Sequence, residues 1–394
     1  MIDTEYLNRN VSIFRPDLDI LEDELNDKYS NSSVLVVGGA GSIGQAVCNT
    51  LLNYNPKSLH VVDISENNLV ELTRDIRSQD RIIKTELKFI CLDVGSDEFE
   101  IMFNDLGPYD YIYNLSALKH VRSEDNPYTL IRMIKTNVIN TVKLYNMAKT
   151  SKVKSFFCVS TDKAANPGNA MGASKLLMEM ALAHVDDGNC QIALARFANV
   201  LFSDGSLPAG FVNRYNKKQP LSAPSDIKRY FISRDEAGEL CTLAGTFGAN
   251  SEIYFPKHFD RNNAVSFTEI AEKYLKSEGY DALICNSEEE AKKNMKTIND
   301  KTNWPCYFFK SNTTGEKSIE EFYTKNENVN FSQYESIGII SKNDNALDYE
   351  IFEKEFKKII TNDSINRNKI LDFMKKNLID FSHIEKGRSL NEKM

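Results

Sequence analysis

The chain has 394 residues, a formal net charge of −8, 41% hydrophobic and 26% charged residues. That length suits one large domain with an embedded second region, or two domains, and the composition is that of an ordinary globular protein. The acidic balance argues against a nucleic-acid partner or an anionic membrane surface, because phosphates are repelled at long range, but it leaves room for a local basic pocket. The cysteines, Cys48, Cys91, Cys158, Cys190, Cys241, Cys285 and Cys306, are odd in number and scattered, with no CxxC pair. They read as buried thiols of a reducing cytoplasm, not as a disulfide frame or a zinc site. The chain opens with no basic region followed by an apolar run, and it has no apolar stretch near the ~20 residues that cross a bilayer. A soluble, cytoplasmic protein without a membrane span or a bound metal is expected.

Residues 1–32 form a polar, acidic extension with a helix expected over Asp17–Lys28. Val34–Val37 is a short β-branched run that suits a strand buried on both faces. Glycines follow, then a helix through Leu52. Further strands are expected at Leu59–Val62, Leu87–Ile90, Tyr111–Asn114, Phe156–Val159 and Gln191–Arg196. Helices are expected between them at Asn67–Arg77, Ser96–Phe103 and Leu130–Lys149. This alternation predicts an α/β fold, a doubly wound parallel (Rossmann) sheet over residues 33–200. Residues 201–335 mix short strands, Pro-containing loops and helices. They are expected to form a smaller substrate-binding lobe, partly interleaved with the Rossmann domain. Residues 336–394 read as a C-terminal helical extension with amphipathic segments at Leu347–Asn362 and Asn366–Phe381.

Gly38-Gly39-Ala40-Gly41-Ser42-Ile43-Gly44 joins the first strand to a helix with GxxGxxG spacing. Gly38 permits a tight turn, Gly41 a close approach of backbone to a pyrophosphate, and Gly44 close packing of the helix. The N–H groups of Ser42 and Ile43, at the helix start, face an anion. Asp63 ends the second strand about 20 residues on, where a carboxylate meets the adenosine ribose. It would repel a 2′-phosphate, so NAD is favoured over NADP. Ser65, just past Asp63, and Asp93 with Val94, after the third strand, are assigned to the same cofactor. The competing reading of Asp93 is a helix N-cap.

The fifth strand runs into Ser160-Thr161-Asp162-Lys163-Ala164, and Met171-Gly172-Ala173-Ser174-Lys175 follows. Polar groups at the carboxyl end of a buried strand sit where doubly wound sheets bind ligands. Asp162 beside Lys163 offers an acid and a base in one turn, and residues 171 and 175 share a helical face. The segments Thr161–Ala164, Asn166-Pro167 and Met171–Lys175 resemble the extended short-chain dehydrogenase/reductases. Within that superfamily they resemble the UDP-N-acetylglucosamine 4,6-dehydratases of polysaccharide biosynthesis. Asn114–Val121, Asn126-Pro127, Thr136–Val138, Arg196–Leu201 and, more faintly, Gly315–Lys317 are similar to further motifs of that family. Arg122–Asp125 and Thr313–Thr314 depart from it.

The resemblance implies that Leu115, Ser116, Ala117 and Lys119 line the cofactor and that Lys175 meets its nicotinamide ribose. It implies a UDP-sugar substrate, with Lys119, His120, Arg196, Asn199 and Arg229 as candidate contacts, and a homo-oligomer, most simply a dimer paired through the Leu130–Lys149 helix. Met171 stands where most of the superfamily has Tyr, and Met moves no proton. Thr161 is then the candidate relay for the C4 hydroxyl proton. In the family, Met at this position goes with retention at C5. Two other readings stay open: a nucleotide-sugar 4-epimerase, which needs no acid at C6, and a non-catalytic NAD-sensing protein, which needs no Thr161, Asp162, Lys163 and Lys175 set.

Overall fold

The computed structural model describes residues 3–120, 124–257, 264–296, 302–310, 320–341, 347–361, 365–378 and 381. The resemblances at Val121 and Gly315–Lys317 and the departures at Arg122-Ser123 and Thr313-Thr314 lie outside them.

The apolar runs form parallel strands β1 (Ser33–Val37), β2 (Ser58–Asp63), β3 (Glu86–Cys91), β4 (Tyr111–Asn114), β5 (Ser155–Val159) and β6 (Gln191–Ala195). Their order in space is β3-β2-β1-β4-β5-β6, so the sheet reverses its winding between β1 and β4. Ligands of doubly wound sheets bind at that switch point. The sheet continues past β6 with Glu252–Pro256, parallel, then Ile337–Ile340 and Val329–Asn330, antiparallel. The lobe thus returns chain to the sheet twice, and the C-terminal segment from 336 begins with a strand of the same sheet.

Strand side chains alternate between two cores. Leu35, Val37, Ile112, Phe156 and Leu194 pack with the helices Asp97–Leu106, Asn140–Thr150 and Ala170–Val185. Val34, Val36, Tyr113, Phe157 and Ala195 face the other way, toward the helices Arg15–Tyr29, Ser42–Leu52 and Arg234–Phe247. A third cluster, around Phe211, Leu221, Ile270 and Trp304, centres the lobe. The pairing Val37↔Asn114 and Asn114↔Cys158 levels the carboxyl ends of β1, β4 and β5. Gly38, Leu115 and Ser160 therefore emerge at one edge.

The helix expected over Leu130–Lys149 begins earlier, at Pro127 behind the cap Asn126, and is not regular. A π-helical turn, Lys135–Ile139, separates Pro127–Ile134 from Asn140–Thr150. Its apolar residues Leu130, Met133, Ile134, Val138, Val142, Leu144, Tyr145 and Ala148 are buried in this chain's own core. The helices Tyr349–Ile360 and Arg367–Asn377 pack on the same side. These side chains serve the core of one chain, while Ile131, Ile139 and Met147 of the same segment are only partly buried. Among the described residues no helix is long and apolar enough to cross a membrane.

Candidate active site

The glycine turn is fixed by backbone. Gly38 has φ +74°, and its N–H, like that of Gly39, donates to Val62 O, at 2.8 and 3.1 Å. A Cβ on Gly38 would lie 2.6 Å from Ser116 N, and one on Gly44 would lie 2.3 Å from Gly38 O. Gly44 therefore serves close packing of helix on turn. Gly41 differs: its nearest neighbour to a Cβ is Gly38 O at 3.6 Å. The protein itself leaves room there. Gly41 is also the N-cap of the helix Ser42–Leu52 and supplies no side-chain cap. Side chains do cap the helices that begin after Ser65, Ser96, Asn126, Asn169, Ser206, Ser233 and Ser266. The helix behind the glycine turn thus keeps the N–H groups of Ser42 and Ile43 for an outside acceptor, as a dinucleotide's diphosphate requires.

Asp63 accepts Ala40 N–H on Oδ2 at 3.0 Å and Ser65 N–H on Oδ1 at 2.9 Å, which ties the end of β2 to the turn. Ser65 caps the next helix through Asn68 N–H. Asp93 bonds Gly95 N–H at 2.8 Å, while Ser96 is the N-cap of Asp97–Leu106. The N-cap reading of Asp93 is therefore corrected. Its turn ends before the helix starts, and Val94 beside it is buried in the core.

At the end of β4, Leu115, Ser116 and Ala117 are half-buried, and Lys119 and His120 are exposed. Protein crowding lowers the Lys119 pKa, against the pull of Asp204. The loop after residue 201 reaches these residues: Asp204 N–H donates to Ser42 Oγ at 2.8 Å, and Gly205 lies against the His120 ring. Two asparagines organise this edge, and the motif reading did not single either out. Asn114 accepts from Ser116 Oγ at 2.6 Å and donates to Thr141 Oγ at 3.0 Å. Asn137, fully buried in the π turn, accepts from Leu118 N–H at 2.9 Å and donates to Leu118 O and to Ser174 Oγ. The widened turn aims this side chain inward, a common use of π turns at functional sites.

Thr161, Asp162 and Lys163 form one chain of contacts. Thr161 Oγ donates to Asp162 Oδ1 at 2.8 Å, and Lys163 Nζ donates to the same oxygen at 3.1 Å. The Asp162 side chain is 6% exposed and that of Lys163 38%. The helix Ala170–Val185 is seated on this turn, because a Cβ on Gly172 would lie 2.5 Å from Lys163 O. Met171 is buried near the helix start. Lys175, on the same face, is buried with Nζ 3.0 Å from Val159 O. Burial lowers its pKa, with Cys158 and Glu179 acting in the opposite sense.

The substrate contact expected of Arg196 does not fit. Arg196 is fully buried, and its guanidinium is held by Glu179, Glu327 and Phe322 O. A buried guanidinium paired on every side has no donor left for a diphosphate. Glu179 also accepts from Ser160 Oγ, so this network anchors the residue before Thr161. Asn199 Nδ2 donates to Glu320 at 2.9 Å, and Arg229 Nε lies 3.4 Å from the same oxygen. Glu320, whose pKa is raised by desolvation and in part by Asp162, thus gathers these two candidates beside the Thr161–Lys163 turn.

The chain matches the family described as "Polysaccharide biosynthesis protein" over residues 34–342. It is 34% identical to the membrane protein MJ1061 of Methanocaldococcus jannaschii over 240 residues, 59% of this chain and 69% of that one. It is 29% identical to the capsular polysaccharide biosynthesis protein CapD of Staphylococcus aureus over 65% of this chain, and spans 42% of CapD's length. It is also 29% identical to the UDP-glucose 4-epimerase of Rickettsia massiliae over 67% of this chain and 80% of that protein. Among solved structures, the dTDP-glucose 4,6-dehydratase DesIV of Streptomyces venezuelae, described with NAD bound, superposes with a TM-score of 0.54 at 20% identity, covering 73% of this chain and 87% of that one. With the Rossmann sheet, the glycine turn and the Thr161–Lys175 segment in place, the chain belongs to this polysaccharide-biosynthesis family of extended short-chain dehydrogenase/reductases.

Proposed function

We propose that the chain is an NAD-dependent UDP-N-acetylglucosamine 4,6-dehydratase that retains configuration at C5. The observation that carries the reading is the Thr161–Asp162–Lys163 contact chain at the carboxyl end of β5. Gly38, Gly41, Ser42, Ile43 and Gly44 would hold the dinucleotide's diphosphate, and Asp63 its adenosine ribose. When bound, the nicotinamide supplies reversible hydride transfer, taken from sugar C4 and returned to C6.

The protein's own groups handle the protons. Thr161 passes on the C4 hydroxyl proton, since Met171 has none to exchange. The resulting 4-ketone acidifies the C5 proton, which Lys163 removes and gives back to the same face of C5 as the hydride returns to C6. Asp162 gives a proton to the departing C6 hydroxyl, which leaves as water. Acid and base so divided need a neutral amine beside a carboxylic acid. The contact seen between Lys163 and Asp162 is that of ammonium with carboxylate. Moving one proton along their 3.1 Å hydrogen bond produces the required pair.

Incubation with UDP-N-acetylglucosamine should give a product lighter by one water, and NMR of that product reads C5. Asp162→Asn and Lys163→Ala should each lower turnover by roughly 10²–10⁴-fold. Near-normal turnover in both would transfer the assignment to a 4-epimerase, in which Thr161 and Lys175 suffice. The unpaired cysteines, six of them buried, suit a reducing cytoplasm. The resemblance adds a homodimer paired through the helix of 130–149. Light scattering at micromolar concentration tests it.

A further inference from the structure

The family match ends at residue 342, yet the chain beyond it reaches the helix that carries Met171 and Lys175. The helix Arg367–Asn377 packs against Ala170–Val185 and Pro127–Ile134. Its first residue, Arg367, donates from Nε to the backbone carbonyl of Glu124 at 2.9 Å. Glu124 in turn accepts Ala170 N–H on Oε2 at 2.7 Å. Ala170 opens the catalytic helix, and Met171 follows it directly.

Three further contacts hold the same turn. Asn169 Oδ1 accepts Gly172 N–H at 2.8 Å. Ser174 Oγ donates to Met171 O at 2.7 Å and accepts from Asn137 Nδ2 at 2.9 Å. Of these anchors only Glu124 is charged. A carboxylate at a helix N-terminus both satisfies an orphan N–H and complements the helix dipole. Arg367 locks its backbone from outside the family's common core.

We propose that Glu124 and Arg367 are positioning residues. Through them the C-terminal helix fixes the first turn of Ala170–Val185 against the Thr161–Asp162–Lys163 turn. The inference rests on the reading of that turn as catalytic. Gly172 transmits the effect, because its backbone lies directly on Lys163 O. If the first turn of the helix moves, Lys163 moves with it, and displacements near 1 Å at a reacting group lower turnover by up to about 10²-fold.

The test uses the full chain with Glu124→Ala, Glu124→Gln and Arg367→Ala. It measures turnover and KM for UDP-N-acetylglucosamine, and hydrogen exchange of the peptide spanning residues 169–176. Glu124→Ala and Arg367→Ala should lower kcat about tenfold or more with little change in KM, and should speed exchange at residues 170–174. Glu124→Gln should restore most of kcat, because its amide oxygen accepts the same N–H. Wild-type kcat and exchange in Glu124→Ala would overturn the proposal, and so would a Gln variant as impaired as the Ala variant. Should Arg367→Ala fail to fold, the two Glu124 variants still decide. If the wild-type chain does not turn over this sugar nucleotide, the functional reading fails alone, and exchange at residues 170–174 still tests the brace.

Discussion

Gly38 and Gly41 of the GxxGxxG turn should separate on mutation to alanine, because the structure gives each a different reason to lack a side chain. At Gly38 the φ of +74° is unfavourable for any L-residue, by about 1–2 kcal/mol. Its Cβ would also press on Ser116 N at 2.6 Å and Leu115 C at 2.7 Å. Both are backbone atoms that cannot swing aside, and overpacking of that kind costs about 1–3 kcal/mol. Gly38→Ala should therefore lose roughly 2–5 kcal/mol of folding stability. Gly41 has φ −74° and ψ 166°, ordinary for alanine, with no protein atom nearer than 3.6 Å to its Cβ. Gly41→Ala should fold as well as the parent, or gain about 0.4–1 kcal/mol through the unfolded chain. The added methyl group would instead stand where a diphosphate approaches the helix N-terminus. NAD affinity should then fall at least about tenfold, or 1.4 kcal/mol. Urea unfolding measures the first quantity and titration calorimetry with NAD the second. Gly41→Ala binding NAD like the parent would remove the diphosphate from this turn. Gly38→Ala with parental stability would refute the steric argument.

Asp63→Ala should narrow the preference for NAD over NADP, and equal affinity of the unmutated chain for both would refute the carboxylate argument. Because the same side chain holds Ala40 N–H and Ser65 N–H, some loss of affinity for both dinucleotides should accompany it. Arg196→Met should destabilise the fold by about 3–5 kcal/mol, since Glu179 and Glu327 are left buried without their cation. A folded variant should keep its KM for the sugar nucleotide, and normal stability with a raised KM would restore Arg196 as a substrate contact. Glu239 is pushed up to about 7 by desolvation, helped by Glu236 and Asp235 and opposed by Ser12 and Arg15. A carboxyl raised on folding stabilises fully below its unfolded value near 4.5 and loses that contribution as pH rises through about 7. Glu239→Gln should flatten this slope in urea unfolding between those values and be more stable than the parent above pH 7. An unchanged slope would dismiss Glu239 as its source.

Sequence reading succeeds here where the physics is local. The strands β1, β2, β4, β5 and β6 are legible because each is a short apolar run buried on both faces, β3 at the sheet edge keeps enough of that run to be read although it is only half-buried, and punctuation by glycine and polar turns marks the ends. The glycine turn and Asp63 are legible because their spacing along the chain is their geometry. Reading fails where a residue's role is set by partners remote in sequence. Arg196 ends a buried strand at the ligand edge, and by position alone it reads as a substrate contact. Its carboxylates come from Glu179 and Glu327, and no local pattern points from one to the others. One signal was available. Glu179 sits in the run Leu176-Leu177-Met178-Glu179-Met180-Ala181, and a carboxylate inside so apolar a helix has to find a cation, because burying it alone would be prohibitive. The π turn at Lys135–Ile139 leaves less trace, since one extra residue per turn barely disturbs the apolar period of Leu130, Ile134, Val138 and Val142. Its purpose lies in Asn137, whose amide joins Leu118 at the end of β4 to Ser174 on the catalytic helix. An asparagine within an apolar helix invites the question of what it bonds. The answer needs β4 and the helix from residue 170 side by side, and only the fold brings them there.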